Sequence, residues 1–338
     1  MKLQASPSFE PLAVVTRGGL VESVHHGLVV IAPPRGHLEI AVGNPATKLI
    51  LRSAGKPFQV AALVESGAAD VFGLTDQELA IAIGSHGGAP EHVAAVTSLM
   101  DKCGISDAML GCGIHPPFDK GARVIGGRIG YTVRQNNCSG KHAAMLAGCL
   151  HLGLPTDRYL DPQHPWQLRI GALVARHAAI DPSEIETVTD GCSAPSFVLP
   201  ALAAARAYAA LAEGSDPALR RVRDAAQADP LMIAGEGRLE TDLMRAAPRR
   251  LIAKSGAEGV YALALQTDAG PRGVVLKIAD GDERRARNRV AIDLAATSLS
   301  LDAAIIDTLV ATHLPSITTL RGVVVGDVVS VWDSNRSV

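Results

Sequence analysis

The sequence predicts a mixed α/β fold in which N-terminal and C-terminal strands form one largely antiparallel sheet packed with helices. Apolar and β-branched segments lie near the start of the chain and again after residue 250, whereas helix-capping signals and helix-forming residues occupy the middle. Strands at both ends of a chain with helices between them are typical of one layered α/β unit. No internal repeat or low-complexity linker divides the 338 residues, so we predict a single domain over 1–338.

Three N-terminal segments have strand character. Leu12 to Thr16, Leu28 to Ile31 and Leu38 to Val42 are largely apolar or β-branched. The run Pro33-Pro34-Arg35-Gly36 predicts a turn between the second and the third.

Two helices are predicted after residue 70. Thr75-Asp76-Gln77-Glu78 has the spacing of a capping box, so a helix should begin there and run toward Gly84. Ser85 and His86 would then lie in a short glycine-rich link. A further helix should begin near Pro90, with an apolar stripe formed by Val93, Val96 and Met100.

The middle of the chain predicts two more helices. Lys141 to Leu150 is rich in helix-forming residues, which places Cys138 at or just before a helix start. Pro195 to Leu211 is Ala-rich and also predicts a helix, interrupted early by Pro200.

Strand character returns after residue 250. Ala253 to Gln266 and Gly273 to Ile278 are rich in apolar residues, and Ala269-Gly270-Pro271 separates them as in a hairpin.

Composition excludes several classes of protein. The hydrophobic content of 47% and the net charge of -2 are ordinary for a globular protein, and Lys and Arg are not in the excess that nucleic acid binding requires. We expect no membrane partner and a cytoplasmic location, since no apolar stretch has the length of a membrane span or of a signal-peptide core. The 5 cysteines are an odd number, which argues against a disulfide framework.

Ser53-Ala54-Gly55-Lys56 is a candidate nucleophile motif. A Ser and a Lys at i and i+3 share one side of a helical turn, where the amine can take the hydroxyl proton. The lysine pKa, ordinarily about 10.4, must first be lowered by burial or by a neighbouring cation. Pro57 predicts that Ser53 lies at an irregular strand-to-helix corner. By itself the pair fits a capping serine beside a solvated lysine better than a nucleophile, and the motifs and the resemblance below reverse this preference.

Further motifs extend this pattern. Gly84-Ser85-His86-Gly87 supplies a second serine and Lys254-Ser255-Gly256 a second lysine, in the order found in active-serine β-lactamases and penicillin-binding proteins. Two cysteine-containing segments lie between them, Asn136-Asn137-Cys138-Ser139-Gly140-Lys141-His142 and Thr189-Asp190-Gly191-Cys192.

With both cysteine segments, the chain resembles the bacterial asparaginase II family of rhizobial-type L-asparaginases. The resemblance runs from Arg17-Gly18-Gly19 through Gly235-Glu236-Gly237-Arg238 to Lys254. It implies a fold similar to serine β-lactamases and glutaminases, hydrolysis of L-asparagine to L-aspartate and ammonia, and a homodimer. The sequence departs from the family pattern at Leu239-Glu240, where the family has Tyr-Cys, so the lining of the pocket should differ.

The resemblance also implies two Ser-Lys pairs in one pocket, Ser53 with Lys56 and Ser85 with Lys254. Spacing does not decide which serine attacks. We predict that Ser53 is the nucleophile with Lys56 as its base, and that Ser85 and Lys254 relay a proton to the departing ammonia.

A zinc site is a weaker prediction from the residues alone. Two thiols without a Cys-x-x-Cys motif fit buried structural cysteines better than a site completed by four Cys or His ligands. The resemblance, however, implies that Cys138, Lys141 and Cys192 bind one zinc ion per chain, with the lysine as a neutral amine. Asp190 would lie beside them and hold a water or the substrate.

Substrate contacts are predicted at two further positions. The Arg52 guanidinium suits the α-carboxylate of an amino acid, although a surface charge is the other interpretation. His86 is predicted to contact the substrate, although a lone histidine is often a satisfied structural residue.

Two alternative functions remain open. One is a zinc-dependent amidohydrolase, acting on glutamine or a related amide, in which metal-bound hydroxide attacks. The other is a catalytically silent amino-acid-binding protein that keeps the pocket.

Overall fold

The computed structural model describes residues 9–314 and 316–332. The strands in this part of the chain are β1 Glu10–Arg17, β2 Leu20–Ala32, β3 Ile40–Val42, β4 Lys48–Ile50, β5 Glu186–Thr189, β6 Pro195–Pro200, β7 Leu251–Gly256, β8 Val260–Thr267, β9 Gly270–Ile278, β10 Ile317–Thr318, β11 Val324–Gly326 and β12 Val328–Ser330. The helices are α1 Lys56–Glu65, α2 Ala68–Val71, α3 Asp76–Ile83, α4 Pro90–Cys103, α5 Lys120–Ile129, α6 Ser139–His151, α7 Pro165–Ala178, α8 Ala201–Glu213, α9 Pro217–Ala228, α10 Pro230–Ile233, α11 Leu239–Ala246, α12 Ala286–Leu299 and α13 Ala303–His313.

Internal contacts divide the chain into two compact units, each assembled from separate segments. Unit 1 holds the residues up to Ala54, Leu199–Glu213 and the residues from Asp242 onward, and unit 2 holds Gly55–Val198 and Gly214–Thr241. The single domain expected from the sequence stays a prediction.

Unit 1 is built on a sheet with the strand order β12-β1-β2-β9-β8-β7, and β3 pairs with β2 off this path. All of these pairings are antiparallel. Strands from the two ends of the chain meet at the pairing of β2 with β9, where Val29 lies opposite Leu276. The predicted fold class, a mixed α/β fold with an antiparallel sheet of N- and C-terminal strands, is therefore confirmed.

The predicted strands are present with some changes of boundary. β1 and β2 contain the first two N-terminal segments, with β2 much longer than expected, whereas β3 covers only Ile40–Val42 of the third. The predicted strand from Ala253 to Gln266 is two strands, because Glu258 and Gly259 adopt φ values of 62° and 70° and reverse the chain between β7 and β8. The connection has three residues, 257–259, and left-handed residues at its end are typical of three-residue hairpin loops.

Helices α8 and α12 pack on this sheet. Gly273 in β9 permits a close approach of α8, since a Cβ atom there would lie 1.8 Å from the Ala205 carbonyl oxygen. The helix predicted from Pro195 begins only at Ala201, and Pro195–Pro200 is strand β6. Ser196-Phe197-Val198-Leu199 suits a strand better than a helix, and Pro200 cannot donate the backbone N–H that a continuing helix needs.

Unit 2 is mainly helical, with α6 packed against α1, α3, α4 and α7. The residues of α6 from Ser139 to Cys149 are all buried, which makes it the central helix of this unit. Strands β5 and β6 pair antiparallel, with Thr189 opposite Pro195. None of the helices in the described part of the chain combines the length and apolarity that a membrane crossing requires.

The helix starts predicted in unit 2 are confirmed. Thr75 caps α3 by accepting a hydrogen bond from the Glu78 backbone N–H, and the Glu78 side chain accepts one from the Thr75 N–H in return. Pro90 lies in the first turn of α4. Cys138 is the N-cap residue of α6.

Candidate active site

Ser53 lies in unit 1, in a 3-10 turn over Arg52–Gly55 that follows β4. Arg52 has φ of 51°, a left-handed conformation that is strained for a residue with a side chain and that recurs at functional sites. The buried Tyr208 of α8 donates its hydroxyl hydrogen to the Ala54 carbonyl at 2.6 Å. The irregular corner predicted at Ser53 is therefore present, and α8 holds it.

Lys56 lies in unit 2 as the first residue of α1, with Pro57 in the first turn. Its side chain is buried, and its Nζ lies 2.5 Å from the Gly84 carbonyl oxygen, 3.0 Å from the Asn137 carbonyl oxygen and 3.1 Å from Ser85 Oγ. Carbonyl oxygens only accept, so they engage two N–H groups. The Cys138 side chain is also hydrogen-bonded to this amine. The Ser85 contact is a donated N–H in the ammonium form and can be made by the lone pair in the neutral form.

The surroundings lower the pKa of this amine. Burial lowers the pKa of Lys56 below its ordinary value, and the Lys141 charge acts in the same direction. The Cys138 and Cys192 sulfurs oppose this effect without overcoming it. Lys56 thus has both the geometry and the direction of pKa shift that a general base requires.

Ser85 follows the C-terminal end of α3, as predicted. Its backbone N–H donates to the Ile233 carbonyl at 2.8 Å. The preceding Gly84 has no space for a side chain, since a Cβ atom would lie 2.2 Å from the Met232 carbonyl oxygen. Packing against the segment around residue 232 therefore fixes the serine and the carbonyl that Lys56 contacts.

His86 is fully buried and both of its ring nitrogens have protein partners. Nδ1 accepts from the Gly88 N–H at 3.2 Å, so Nε2 carries the hydrogen and donates to Ser139 Oγ at 3.0 Å. Ser139 in turn donates to the Arg134 carbonyl at 2.8 Å. These bonds tie the Ser85 loop to the start of α6. The substrate contact assigned to His86 from the sequence stays a prediction.

Cys138, Lys141 and Cys192 come together in unit 2, while their predicted role as metal ligands stays a prediction. Cys138 precedes α6, Lys141 lies in its first turn, and Cys192 lies between β5 and β6. All three are buried. Lys141 Nζ donates to Cys192 Sγ at 3.0 Å, and the two cysteine side chains are hydrogen-bonded to each other.

The side chains of this cluster shift one another's pKa values. The hydrogen bond with Cys192, followed by the charges of Lys56 and Lys141, lowers the pKa of Cys138 well below its ordinary value, although burial opposes this. Burial alone would lower the pKa of Lys141, but the two sulfurs and Asp190 outweigh it and raise that pKa. The cluster thus favours a thiolate beside an ammonium group.

The donor set fits zinc in its chemistry. Two cysteine sulfurs and one amine provide three of the four positions of a tetrahedral site for a borderline-soft ion. Among residues 9–314 and 316–332, no three His, Cys, Asp or Glu side chains form a group that could hold a metal. A metal at this cluster therefore depends on Lys141 as a ligand.

Asp190 lies in the tight turn that carries Cys192. Its Oδ1 accepts from the Gly191 N–H at 2.7 Å, and its carbonyl accepts from the Ser193 N–H at 2.9 Å. Its charge also acts on Lys141. Asp190 is thus placed beside the cluster, while its contact with substrate stays a prediction.

Lys254 lies in β7 of unit 1, opposite Ala262 of β8. It is fully buried, and its Nζ donates to the Ser255 carbonyl at 2.9 Å. Its predicted pairing with Ser85 and the predicted contact of Arg52 with a carboxylate remain untested.

Two features of the site were missed from the sequence. The Gly84 and Asn137 carbonyls that orient Lys56 are backbone groups, and no residue type reveals them. The second feature is a hydrogen bond of 2.6 Å between His142 Nδ1 and the Tyr159 hydroxyl, and both residues are buried. His142 stands next to Lys141 in the cysteine motif, which is the signal that points to it.

The departure from the family pattern at Glu240 is a buried carboxylate at the start of α11. Its Oε2 lies 3.9 Å from Arg238 Nε, a side chain that is 38% exposed. A carboxyl group stands here, where the resemblance implies a cysteine.

Comparison with known proteins identifies the family. The family model for L-asparaginase II matches residues 13–330. No curated protein matches the chain.

Solved structures resemble the fold only at low identity. The structure of Mglu in its native form is 15% identical with a TM-score of 0.48, covering 82% of this chain and 66% of that one. A probable glutaminase from Bacillus subtilis complexed with 6-diazo-5-oxo-L-norleucine is 11% identical with a TM-score of 0.37, covering 82% of this chain and 85% of that one. The chain spans 57% of the length of Mglu in its glutamate form.

Proposed function

The chain belongs to the L-asparaginase II family, and we propose that it hydrolyses the side-chain amide of L-asparagine to L-aspartate and ammonia. Family membership makes it an amidohydrolase, and the choice of asparagine and the Ser-Lys mechanism are the proposal. The observation that supports a Ser-Lys mechanism is Lys56, a buried amine in contact with the Ser85 hydroxyl, whereas Ser53 as the nucleophile rests on its Ser-x-x-Lys spacing and on the family resemblance.

The first step is acyl transfer to Ser53. Its oxygen forms a bond to the side-chain amide carbon while Lys56 accepts the hydroxyl proton. The tetrahedral intermediate then breaks its C–N bond, and the leaving nitrogen takes a proton and departs as ammonia. Water attacks the resulting ester, giving L-aspartate and restoring the Ser53 hydroxyl.

Ser85 is proposed to carry the proton to the leaving nitrogen. A hydroxyl 3.1 Å from Lys56 Nζ can take the proton that the amine has gained and pass its own onward. Lys254 is the predicted second lysine of this relay. The same contact also suits Ser85 as the nucleophile with Lys56 as its base, so the attacking serine is the question for experiment.

The remaining predicted residues bind and orient. Arg52 pairs with the α-carboxylate, and Asp190 and His86 line the amino acid site. Cys138, Lys141 and Cys192 would hold a zinc ion, which would supply a positive charge beside the substrate, and Lys141 would have to bind it as the neutral amine.

The test is ammonia release from asparagine and from glutamine, combined with acid-quenched mass spectrometry during turnover. We expect asparagine to be the better substrate and an aspartyl adduct to form on Ser53. Ser53→Ala should lose turnover and the adduct while keeping its unfolding temperature, because only a hydroxyl is removed. Ser106→Ala, at an exposed serine, is the control and should behave as wild type.

The other functions give different results. An adduct on Ser85 that persists in Ser53→Ala would show that Ser85, and not Ser53, is the nucleophile. Full turnover without any adduct would support the metal-hydroxide mechanism, and asparagine binding without ammonia release would identify a silent binding protein.

A further inference from the structure

One peptide group connects Lys56 to a buried asparagine. The carbonyl of the Asn137–Cys138 peptide accepts from Lys56 Nζ at 3.0 Å. The N–H of the same peptide donates to Asn136 Oδ1 at 2.8 Å. Because a peptide group is planar, holding its N–H also sets the direction of its carbonyl.

The Asn136 side chain is itself anchored at its other end. Its Nδ2 donates to the Cys112 and Gly113 carbonyls, each at 3.0 Å. These carbonyls only accept, so the NH2 end must face them and the oxygen must face Cys138. Asn136 is 3% exposed, and its position is therefore fixed by hydrogen bonds at both ends of its amide.

We infer that Asn136 is a positioning residue that sets the direction of the Lys56 amine by orienting the Asn137–Cys138 peptide. The inference rests on the proposed function, in which Lys56 exchanges a proton with a serine. The Gly84 and Asn137 carbonyls together engage two of its N–H groups. If the Asn137 carbonyl turns away, only the Gly84 carbonyl and the Cys138 side chain still hold the amine, and it can rotate to present an N–H to the serine in place of its lone pair.

A change at Asn136 should therefore affect the chemical step more than binding. Positioned proton transfer contributes about 10²–10⁴-fold to a rate, and loosening one of two orienting carbonyls should remove part of it. We expect kcat to fall about 10- to 100-fold with KM within about twofold of wild type.

Asn136→Asp is the primary variant. It keeps the size of the side chain and the oxygen that accepts from Cys138, but it replaces the NH2 donor by an oxygen facing two carbonyls. Asn44→Asp is the matched control, because Asn44 Oδ1 accepts from a backbone N–H two residues ahead, that of Ala46 at 2.9 Å, in an exposed loop. The control should keep wild-type kcat and KM.

A double-mutant cycle with Lys56→Ala separates positioning from general damage. If Asn136 acts through the Lys56 amine, Asn136→Asp should cause no further loss of kcat in the Lys56→Ala background. An equal fold-loss in both backgrounds, including one caused by displacement of Cys138, would overturn the inference.

A second variant keeps the test decisive if Asn136→Asp does not fold. The Asn136→Ser hydroxyl can accept from the N–H two residues ahead but cannot reach the two anchoring carbonyls. It should lower kcat less than Asn136→Asp, again only when Lys56 is present, and wild-type kcat in Asn136→Ser would refute the role.

The outcomes also separate this inference from the proposed function. A wild-type protein that releases no ammonia, or a Lys56→Ala variant with full activity, would contradict the proposed function. Lys56-dependent activity in wild type that survives intact in folded Asn136→Asp would contradict the role of Asn136 alone.

Discussion

The Lys56 amine is held in one direction by two carbonyls, from residues 28 and 81 positions away in sequence, which accept from it. The Ser-x-x-Lys pattern predicts which amine can act, and burial of a helix start predicts that its pKa falls. The partners could not be predicted, since backbone carbonyls have no sequence signature and their positions depend on how α3 and α6 pack against α1.

The metal prediction also belongs to single residues. Protein purified without added metal should contain about one zinc per chain, and Cys192→Ser should lose most of it because a hydroxyl replaces one of two thiolate ligands. Elemental analysis after gel filtration measures this. Cys103→Ser is the control, since burial raises the pKa of Cys103 to about 12 and that thiol lies outside the cluster. Wild-type protein holding less than roughly a tenth of an equivalent would refute the site.

At the scale of elements, the corner at Ser53 depends on α8. Tyr208→Phe removes the hydroxyl that donates to the Ala54 carbonyl, leaving a backbone acceptor without this partner. We expect the free energy of unfolding to fall by about 1–3 kcal/mol in urea titrations, with a decrease in kcat because the turn that carries Ser53 loosens. Tyr131→Phe is the control, because that hydroxyl donates to the Arg123 carbonyl at the surface. An unchanged Tyr208→Phe would show that the turn is held by other contacts.

The capping box of α3 predicts a dependence of stability on pH. Burial alone would raise the pKa of Glu78, but hydrogen bonds from Lys102, Ser98 and Thr75 outweigh it, so that pKa lies below its ordinary value. The folded pKa is thus lower than the unfolded value of about 4.3, and the stabilisation is present above that pH and lost as pH falls through the folded pKa. Glu78→Gln should therefore be less stable than wild type at neutral pH, with a difference that shrinks below about pH 4.

An exposed capping box supplies the control for this prediction. Glu184 Oε1 accepts from the Asp181 N–H at 3.0 Å without burial, so Glu184→Gln should change the free energy of unfolding by less than about 0.5 kcal/mol. Urea titrations of the three proteins at several pH values measure both effects. A Glu78→Gln difference that stays constant down to pH 3 would mean that its carboxylate charge is not what stabilises α3.

The sequence predicts best those elements whose signals lie within a few consecutive residues. Thr75 and Glu78 form a capping box from four consecutive residues, and the structure contains it. The segment from Pro195 to Pro200 was expected to be helical because of the alanines that follow, but it pairs with β5 as a strand. The turn between the two strands contains the turn dipeptide Asp190-Gly191, and the Asp190 hydrogen bonds and Ser193 at φ of 69° set its geometry. The alanines after Pro200 outweighed this local signal in the prediction.

At the scale of the whole molecule, the path of the chain is the informative feature. The chain builds each unit from discontinuous segments. It passes from one unit to the other four times, after Ala54, Val198, Glu213 and Thr241. The segment Leu199–Glu213 of unit 1 therefore joins two segments of unit 2. If unit 1 unfolded, Leu199–Glu213 would become a flexible loop between two segments of unit 2. Closing that loop costs entropy, and unit 2 would have to offset this cost by itself.

This connectivity predicts one cooperative unfolding transition, in agreement with the single domain expected over 1–338. Differential scanning calorimetry should give a single peak whose calorimetric enthalpy equals the van't Hoff enthalpy. Tyr208→Phe in unit 1 and Glu78→Gln in unit 2 should each lower the temperature of that same peak, because destabilising either unit destabilises the only folded state. Two peaks, with each substitution moving a different one, would instead show that the units unfold independently. In that case the four chain crossings would act as linkers, and the segment Leu199–Glu213 would have to remain folded on unit 1 while both of its neighbours in sequence unfold.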